Sequence, residues 1–483
     1  MREDDITKSP CRRLGSIVGA TLTIALELGT VGAVRAEGRE EQSEPACERP
    51  SLRNLRYEED NTFLRDPACR TGVWDPVKYI PLSRPSGGYL TFGGHLRERY
   101  DYFHNRDWGR LPDDGYVLTR FMVFGDLHLG ANVRLFAELA SHWVAGATGS
   151  PGPVDQDLLD VHQAFVDLSV ELPRVGSLTL RGGRQELDYA RGRLIAVREG
   201  ANVRLSFDGV RAMQYIGDWR IDGLLLAPVE VDPGMFDDGW QPGERLWGLY
   251  ALGPVGVDLF DLDAYYLGFA REAAVFDQGM ADEDRHSLGV VLSGAPGGFD
   301  YNVELVYQLG SFGDGEIRAW TVGSDLGFTF ASLPWRPRVG TQLNVMSGDD
   351  DPNDPDLETF FPLFPRQSYF SEATLIGPLN LYNATPALIV RPVEPLVLSL
   401  ALDLFWRQSL DDGLYRPSGV VQVSGVGNPE RDVGSELNPT VQWRTRHVIV
   451  VASYSHFFAG SFLRAAGLGR DVDAFNLWLS YRI

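Results

Sequence analysis

The sequence has little of several features that mark large classes of protein. Its 483 residues include three cysteines, six methionines and only two lysines, Lys8 and Lys78. Acidic residues outnumber basic ones by 66 to 44, and the formal net charge of −22 argues against nucleic acid as a partner, because phosphate binding needs a basic face. Beyond residues 14–33, no apolar run approaches the roughly 18 residues that a spanning helix requires. These absences exclude a polytopic helical membrane protein.

The first 36 residues have the layout of a secretory signal peptide. A basic cluster precedes the apolar run of residues 14–33, and residues 34–36 form a small-x-small cleavage site. We therefore expect residues 1–36 to be removed on export, with a membrane-anchor helix as the alternative. Export leaves Cys47 and Cys69 in an oxidising compartment, which favours a disulfide between them over two free thiols.

Period-two alternation of apolar and polar residues is the main positive signal. It begins near Tyr89 and recurs in about eighteen stretches of roughly ten residues, the pattern of strands in a membrane barrel. In residues 133–139, for example, the aliphatic side chains share one face, while Arg134, Phe136 and Glu138 share the other. The sequence predicts an all-β fold, a single transmembrane antiparallel β-barrel over residues 87–483, preceded by a periplasmic lead-in segment over residues 37–86.

The connections between these stretches alternate in length. Short connections, such as residues 130–132 and 217–218, come between long polar ones, as in outer-membrane barrels with tight periplasmic turns and longer outer loops. The long connections are predicted at residues 105–114, 146–157, 186–202, 231–244, 270–284, 348–378, 411–431 and 459–470. Both ends of the barrel are then expected on the periplasmic side.

Charged side chains within the strands are expected to face the lumen, because an arginine on the lipid face costs about 2–4 kcal/mol at mid-depth. By strand parity, the inward arginines are Arg97, Arg99, Arg120, Arg134, Arg181, Arg204, Arg338, Arg407 and Arg444. Acidic residues expected on the same faces are Asp126, Glu138, Asp167, Asp208, Glu304 and Asp403. Either these arginines line a pore, or each pairs with a carboxylate across the strands.

Four further arginines depend on local structure. Arg184 turns inward only if a glycine bulge at Gly182-Gly183 resets the register, and Arg211 only if Gly209 marks a second register change. Arg191 and Arg193 lie where a strand passes into a loop. They either line the entrance to the lumen or are solvated loop charges.

Seven motifs give the sequence a family resemblance. They are residues 183–194 (GRQELDYARGRL), 206–211 (SFDGVR), 302–311 (NVELVYQLGS), 347–351 (SGDDD), 361–365 (FPLFP), 405–409 with 412–415 (FWRQS and DGLY) and 454–460 (YSHFFAG). With these motifs in this order, the chain resembles the bacterial alginate export family from about Tyr89 onwards. The resemblance implies an eighteen-stranded outer-membrane barrel whose arginine-rich lumen selects a polyuronate, with flexible loops as gates. The final Ile483 departs from the aromatic residue that ends many such barrels.

Three functions are compatible with this pattern. The favoured one is an outer-membrane channel that passes an anionic, alginate-like polysaccharide through an arginine-lined pore. The alternative is a general or oligosaccharide-selective porin that works by diffusion. A luminal enzyme is disfavoured, because the adjacent Ser455 and His456 point to opposite faces of a strand and the histidines lack metal-binding spacing.

Further expectations concern ions and partners. The acidic run at residues 349–356 either binds Ca²⁺ through clustered oxygen atoms or is a solvated loop. We expect no cofactor and no catalytic metal. Expected partners are outer-membrane lipid, lipopolysaccharide and a periplasmic scaffold of a secretion complex, with the barrel itself monomeric.

Overall fold

The computed structural model describes residues 47–82, 87–149, 151–152, 154–256 and 260–483; the predicted signal peptide and Cys11 lie outside these ranges. Within them, eighteen long strands form one antiparallel sheet. They are β1 (Tyr89–His104), β2 (Asp114–Leu129), β3 (Val133–Ala145), β4 (Asp157–Leu172), β5 (Gly176–Gln185), β6 (Phe207–Ile216), β7 (Trp219–Glu230), β8 (Glu244–Val255), β9 (Phe260–Phe276), β10 (Gly279–Gly294), β11 (Phe299–Phe312), β12 (Gly315–Thr329), β13 (Arg338–Met346), β14 (Leu381–Val393), β15 (Leu396–Arg407), β16 (Asp432–Arg444), β17 (Val448–Ala459) and β18 (Val472–Arg482).

The sheet closes on itself. Each strand pairs with its neighbours in sequence, and β1 also pairs with β18, with His95 opposite Arg482 and His104 opposite Asp473. Closure gives each long strand a hydrogen-bonded neighbour on both sides, which is the condition for strands to cross a bilayer. The predicted all-β, eighteen-stranded antiparallel barrel is confirmed. In the described residues, no helix is long and apolar enough to span a membrane.

Side chains alternate between the two faces of the wall as the sequence predicts. On β3, Leu135 and Leu139 are exposed on the outer face, whereas Phe136 and Glu138 are buried inside. At the end of the barrel that holds the termini of the sheet, where β1 begins and β18 ends, strands are joined by tight turns. One is Gly217-Asp218, where Gly217 has a φ of 58° that a two-residue hairpin turn needs and that glycine adopts without strain.

The predicted long connection at residues 270–284 is wrong. Strands β9 and β10 continue through it and meet at a two-residue turn, with Phe276 opposite Gly279. A bulge between Arg271 and Ala274 shifts the register there, and it brings the rings of Phe276 and Phe312 within 5.5 Å inside the barrel. Burial of these rings stabilises strand structure in a segment whose polar residues alone suggested a loop.

Two of the long loops fold into the barrel. We call residues 186–206 the first inner loop and residues 347–380 the second inner loop. They join each other where the amide of Phe364 donates to the carbonyl oxygen of Leu194 at 2.7 Å and the amide of Ala196 donates to the carbonyl oxygen of Phe364 at 2.9 Å. Together they fill much of the space that the wall encloses.

The lead-in segment enters the barrel from the end that holds the termini. Its described part contains short 3-10 turns, the helix α1 (Asp75–Lys78) and a disulfide between Cys47 and Cys69, whose Cα atoms are 5.3 Å apart. Leu55 and Tyr57 are buried against inward aromatic rings of the wall. This segment therefore occupies one mouth of the barrel as well as lying outside it.

Candidate functional site

Three arginines and the first inner loop's own Arg204 converge inside the barrel. Arg97 and Arg120 are directly opposite each other on β1 and β2, and Arg482 lies on β18, next to β1. We call Arg97, Arg120, Arg204 and Arg482 the arginine cluster. All four are at most 5% exposed. A group of like charges this deeply buried requires acceptors close by.

Those acceptors come from the first inner loop. The Glu199 carboxylate lies 3.0 Å from Arg120, 3.3 Å from Arg204 and 3.0 Å from Arg482. The guanidinium of Arg97 donates to the carbonyl oxygens of Glu199 and Ala201, both at 2.6 Å. A short segment of chain, carrying one carboxylate and several carbonyl oxygens, therefore occupies the guanidinium groups.

Adjacent arginines extend this arrangement. Arg120 also donates to the carbonyl oxygen of Asn202 at 2.8 Å. Arg99, the next inward residue of β1, donates to Asp101 at 2.7 Å and to Glu372 of the second inner loop at 3.2 Å. Both inner loops thus supply hydrogen-bond acceptors to the inward arginines.

A second group of arginines surrounds Tyr57 of the lead-in segment. Arg134 donates to the Tyr57 carbonyl oxygen at 2.6 Å. Arg181 lies over the Tyr57 ring at 4.1 Å and over the Phe165 ring at 3.7 Å. Arg211 pairs with Asp222 at 2.6 Å. The mouth that the lead-in enters is therefore also lined by arginine, with the segment lying among the guanidinium groups.

The remaining predicted arginines are distributed around the lumen. Arg193 lies deep inside, donating to Asn302 at 2.6 Å and approaching Glu304 at 3.3 Å, and Arg191 pairs with Asp325 at 3.1 Å. Neither is a solvated loop charge, because Arg193 is buried and Arg191 is covered on most of its surface. Arg338 pairs with Asp300 at 2.6 Å and Asp325 at 3.0 Å.

Two arginines sit near opposite ends of the wall. Arg407 is fully buried and donates to carbonyl oxygens of the loop between β15 and β16, among them Leu410 at 2.9 Å and Glu430 at 3.1 Å. Arg444, at the end of β16, is half-buried on the inward face opposite Ile449. Their positions follow the predicted parity.

The inward carboxylates have mixed partners. Asp126 binds Arg134 at 2.7 Å and Asp167 binds Arg181 at 2.7 Å, so these two pair with arginine across strands. Glu138 instead accepts from Gln163 at 3.0 Å. Pairing with carboxylates therefore accounts for part of the arginine set, whereas Arg97 and Arg407 rest mainly on backbone oxygens.

Two more predicted acids are bound by neutral donors. Glu304 accepts from the hydroxyl of Tyr265 at 2.6 Å, in addition to its contact with Arg193. Asp403 accepts from Thr385 at 2.5 Å and from Asn438 at 2.8 Å.

The register changes predicted at the glycines do not occur. Strands β5, β6 and β7 pair without a shift through Gly183 and Gly209, so Arg184 and Asp208 both lie on the outer face, bound to each other at 2.9 and 3.0 Å. Arg211 faces inward without any bulge, because Phe207 rather than Asp208 begins the inward series. The lipid-face cost does not apply to Arg184, because residues 231–243 cover it.

Sequence parity missed several charged groups of the lumen. Glu186 and Glu199 lie in the first inner loop, where no periodicity exists to place them. Arg285 is fully buried and donates to Glu283 and, at 2.6 Å, to Gln308. Inward parity on β10 would have identified Arg285, had residues 270–284 been read as strand.

A cluster of three carboxylates lies at the end of the barrel opposite the termini. The side-chain oxygens of Asp157, Asp160 and Asp238 lie within 4.8 Å of one another. Burial and the nearby Asp160 raise the pKa of the Asp238 carboxyl to about 6, although the amide of Asp232 opposes this. In the described part of the chain, the acidic run at residues 349–356 forms no such group, and its Asp349 and Asp351 accept bonds from amides two residues on.

The closed wall, apolar outside and charged inside, defines an outer-membrane porin-like barrel, a transport channel. The family model described as alginate export matches residues 88–475, and the chain belongs to the alginate export family.

Solved structures share the fold. Acinetobacter baumannii OccAB1 has 13% identity and a TM-score of 0.56, covering 82% of this chain and 96% of its own. Pseudomonas aeruginosa OccK11 (OpdR) has 14% identity and a TM-score of 0.53, with the same coverage. Pseudomonas aeruginosa OccK2 (OpdF), solved in complex with glucuronate, has 10% identity and a TM-score of 0.52, covering 82% and 98%. No curated protein sequence matches the chain.

Proposed function

We propose that this outer-membrane channel passes an anionic, alginate-like polysaccharide through an arginine-lined conduit. The observation that carries the proposal is the arginine cluster, whose guanidinium groups hold a strip of carboxylate and carbonyl oxygens contributed by residues 199–202. A polyuronate offers the same kind of oxygens along a chain. The guanidinium fork suits carboxylates because it donates two parallel hydrogen bonds.

The arginines extend beyond the cluster towards the mouth that holds the lead-in segment. Arg181 and Arg211 are directly opposite each other on β5 and β6, and Asp167, which binds Arg181, lies opposite Arg134 of β3. Guanidinium groups therefore follow one side of the lumen over several adjacent strands. Fixed positive charges that no carboxylate balances, such as that of Arg97, which rests on backbone oxygens, lower the barrier to a chain of opposite charge.

Passage requires the oxygens of the first inner loop to leave the arginine cluster. Residues 199–202 bind the cluster through carboxylate and carbonyl oxygens, and a uronate chain can supply oxygens of the same kind. When the polymer enters, its oxygens can therefore take the place of those of the loop. This exchange avoids leaving buried guanidinium groups without acceptors, which would be costly. The first inner loop is thus the proposed gate.

Planar-bilayer recording of the purified channel tests the proposal. We expect anion-selective current that oligouronates block, and little block by a neutral oligosaccharide of equal length. Arg120→Gln should reduce both anion selectivity and block. The matched control is Arg318→Gln, which changes an exposed arginine outside the lumen.

The alternative function, a general or oligosaccharide-selective porin, predicts a different record. Its current would show weak charge selectivity, and oligouronates and neutral sugars would affect it alike. Equal effects of Arg120→Gln and Arg318→Gln would also contradict a role for the cluster. The shared fold with the Occ barrels, one of them solved with glucuronate, is compatible with either outcome.

A further inference from the structure

The wall of the barrel is incomplete near the end opposite the termini. Strands β5 and β6 are 10 residues long, whereas β4 has 16, and the last pair between β4 and β5 is Ala164 with Arg184. Residues 157–163 therefore extend past the end of β5, because the chain there turns into the lumen as the first inner loop. We call this place the wall gap.

Residues 231–243, which we call the sealing segment, cover the wall gap. On one side, the amide of Leu158 donates to the carbonyl oxygen of Gly234 at 3.0 Å, and the amide of Phe236 donates to that of Leu159 at 2.9 Å. On the other side, Gly239–Trp240 pairs with the end of β7. The sealing segment thus substitutes for strand at a point where an open edge would expose unpaired backbone.

The three clustered carboxylates join these two parts. Asp157 and Asp160 lie on the overhanging end of β4, and Asp238 lies on the sealing segment. One oxygen of Asp160 accepts from the amides of Asp237 at 2.9 Å and Asp238 at 3.1 Å. Two oxygens that share one Ca²⁺ at about 2.4 Å lie no more than roughly 4.8 Å apart, so the observed spacing allows a single ion to bind all three side chains.

The nearest cation does not neutralise this cluster. Arg184 approaches Asp160 only to 3.9 Å, while its Nε and Nη2 atoms donate to Asp208 at 2.9 and 3.0 Å. Its other bonds are to carbonyl oxygens, of Val161 at 3.0 Å and of Asp238 at 3.5 Å. One guanidinium group, mostly engaged elsewhere, therefore does not balance the charge of three carboxylates. Buried charges of one sign need a closer counter-ion.

A separate observation points into the same cluster. His142 of β3 is completely buried, and within the described structure neither of its ring nitrogens has a hydrogen-bond partner. Its Nδ1 faces the Asp157 carboxylate at 3.4 Å. The other oxygen of Asp157, Oδ1, is buried and also lacks a hydrogen-bond partner. A carboxylate that binds a metal ion is itself held by a neighbouring polar group, and His142 is placed to do this for Asp157.

We propose that Asp157, Asp160 and Asp238 bind one Ca²⁺ ion, which fastens the sealing segment over the wall gap. The ligands are all carboxylate oxygens, which suit a hard divalent cation, and Ca²⁺ tolerates the irregular geometry of a loop. His142 positions Asp157 and is not itself a ligand. The ion supplies the positive charge that Arg184 does not, and it links the end of β4 to Asp238 of the sealing segment.

The test uses the mature protein refolded in detergent free of lipopolysaccharide, because lipopolysaccharide itself binds Ca²⁺. After removal of metal with a chelating resin, equilibrium dialysis against Ca²⁺ should show one bound ion. The conservative variants Asp157→Asn and Asp238→Asn should each weaken binding by at least about tenfold, because each removes one charged ligand of the ion. Asp354→Asn, an exposed acid of the 349–356 run, is the matched control and should bind as the unaltered protein does.

Limited proteolysis gives a second readout that does not depend on ion counting. Phe236 and Trp240 of the sealing segment are 62% exposed and are sites for chymotrypsin. Ca²⁺ should slow cleavage there at least severalfold in the unaltered protein and in Asp354→Asn, but not in Asp238→Asn. Variants that still show the heat-dependent gel shift of a folded barrel are compared, which separates loss of the site from loss of the fold.

Three results would overturn the proposal. They are a folded, unaltered barrel that binds no Ca²⁺ at millimolar concentration, equal binding by Asp157→Asn, Asp238→Asn and the control, and cleavage of the sealing segment that does not respond to Ca²⁺. None of these results bears on the polysaccharide proposal, which concerns the lumen.

Discussion

The two sides of the lumen differ in the side chains that face inward. On the side of β1, β2 and β18, inward arginines hold the oxygens of residues 199–202. Along β7, β8 and β9, the inward residues are largely apolar. Phe207 of β6 and Phe269 of β9 pack against Phe364 of the second inner loop with ring centroids 5.0 and 5.3 Å apart. We call these the arginine side and the aromatic side.

The first inner loop touches both sides, and its two halves differ accordingly. Leu187, Leu194 and Ile195 are buried in the aromatic core, whereas residues 199–202 are held by guanidinium groups. An anion in solution can replace the contacts with guanidinium groups, because it supplies the same oxygen acceptors. It cannot replace the apolar packing, because an anion does not bury apolar surface. The comparison therefore predicts that residues 199–202 move and that the contacts on the aromatic side persist.

The largest effect should come from removing the mobile half. Replacing residues 199–202 with a short Gly-Ser linker should convert a closed or poorly conducting barrel into one with porin-sized conductance in planar bilayers, because the wall beneath is intact. Replacing the exposed residues 350–355 in the same way is the control and should leave conductance unchanged. Equal conductance of the two variants would show that residues 199–202 do not close the channel.

The aromatic side should dominate stability. Phe364→Ala removes a buried ring between the second inner loop and the wall, and large-to-small changes of this kind cost about 3–5 kcal/mol. Urea unfolding of the refolded barrel measures the loss, and ion selectivity should not change. Phe330→Ala, at an exposed ring beside a turn, should cost less than about 0.5 kcal/mol. A similar small loss for Phe364→Ala would show that the aromatic side is not a core.

A smaller effect is expected from the arginine side. Glu199→Gln keeps the shape of the side chain but weakens its bonds to three guanidinium groups, and we expect a loss of about 2 kcal/mol in the free energy of unfolding. The same change should raise the fraction of time that the channel is open. Glu316→Gln, at the exposed pair with Arg318, is the control and should alter neither quantity. An unchanged open fraction would indicate that Glu199 does not hold the gate.

The smallest effect on the barrel should come from the disulfide. Replacing Cys47 and Cys69 by serine releases a crosslink within the lead-in segment, outside both sides of the lumen. Proteolysis of the segment should accelerate, since closure of the loop between the cysteines no longer restricts the unfolded chain. Barrel unfolding in urea should change little, because Leu55 and Tyr57 can keep their packing against the wall without the crosslink. A large shift would show that the disulfide is needed to hold them there.

Much of the wall was predictable from strand parity. The outward leucines and inward Glu138 of β3, and the inward Asp403 and Arg407 of β15, follow directly from alternation. The prediction was wrong for Arg184, where the expected cost of an arginine on the lipid face was given more weight than strand parity. Arg184 was predicted to face inward because lipid would reject it. It instead lies on the outer face near the end of β5, bound to Asp208 and to the carbonyl oxygen of Asp238 in the sealing segment.

Contacts between segments that are distant in the sequence could not be predicted, for a different reason. Glu199 meets Arg97 across about a hundred residues of sequence, and nothing local in the first inner loop indicates that its oxygens lie against β1. Asp238 meets Asp157 in the same way. Loops have no repeat that ties a residue to a face, so their side chains can be placed only once the wall is built.

The sequence by itself determined that this chain forms a closed barrel with oily residues outwards, because strict alternation leaves a strand one apolar face and the bilayer demands that backbone groups pair. The tertiary structure alone decided what occupies the interior. A wall of eighteen strands encloses more space than its own side chains fill, so the inner loops and the lead-in segment compete for that space, and long-range packing and charge select the arrangement.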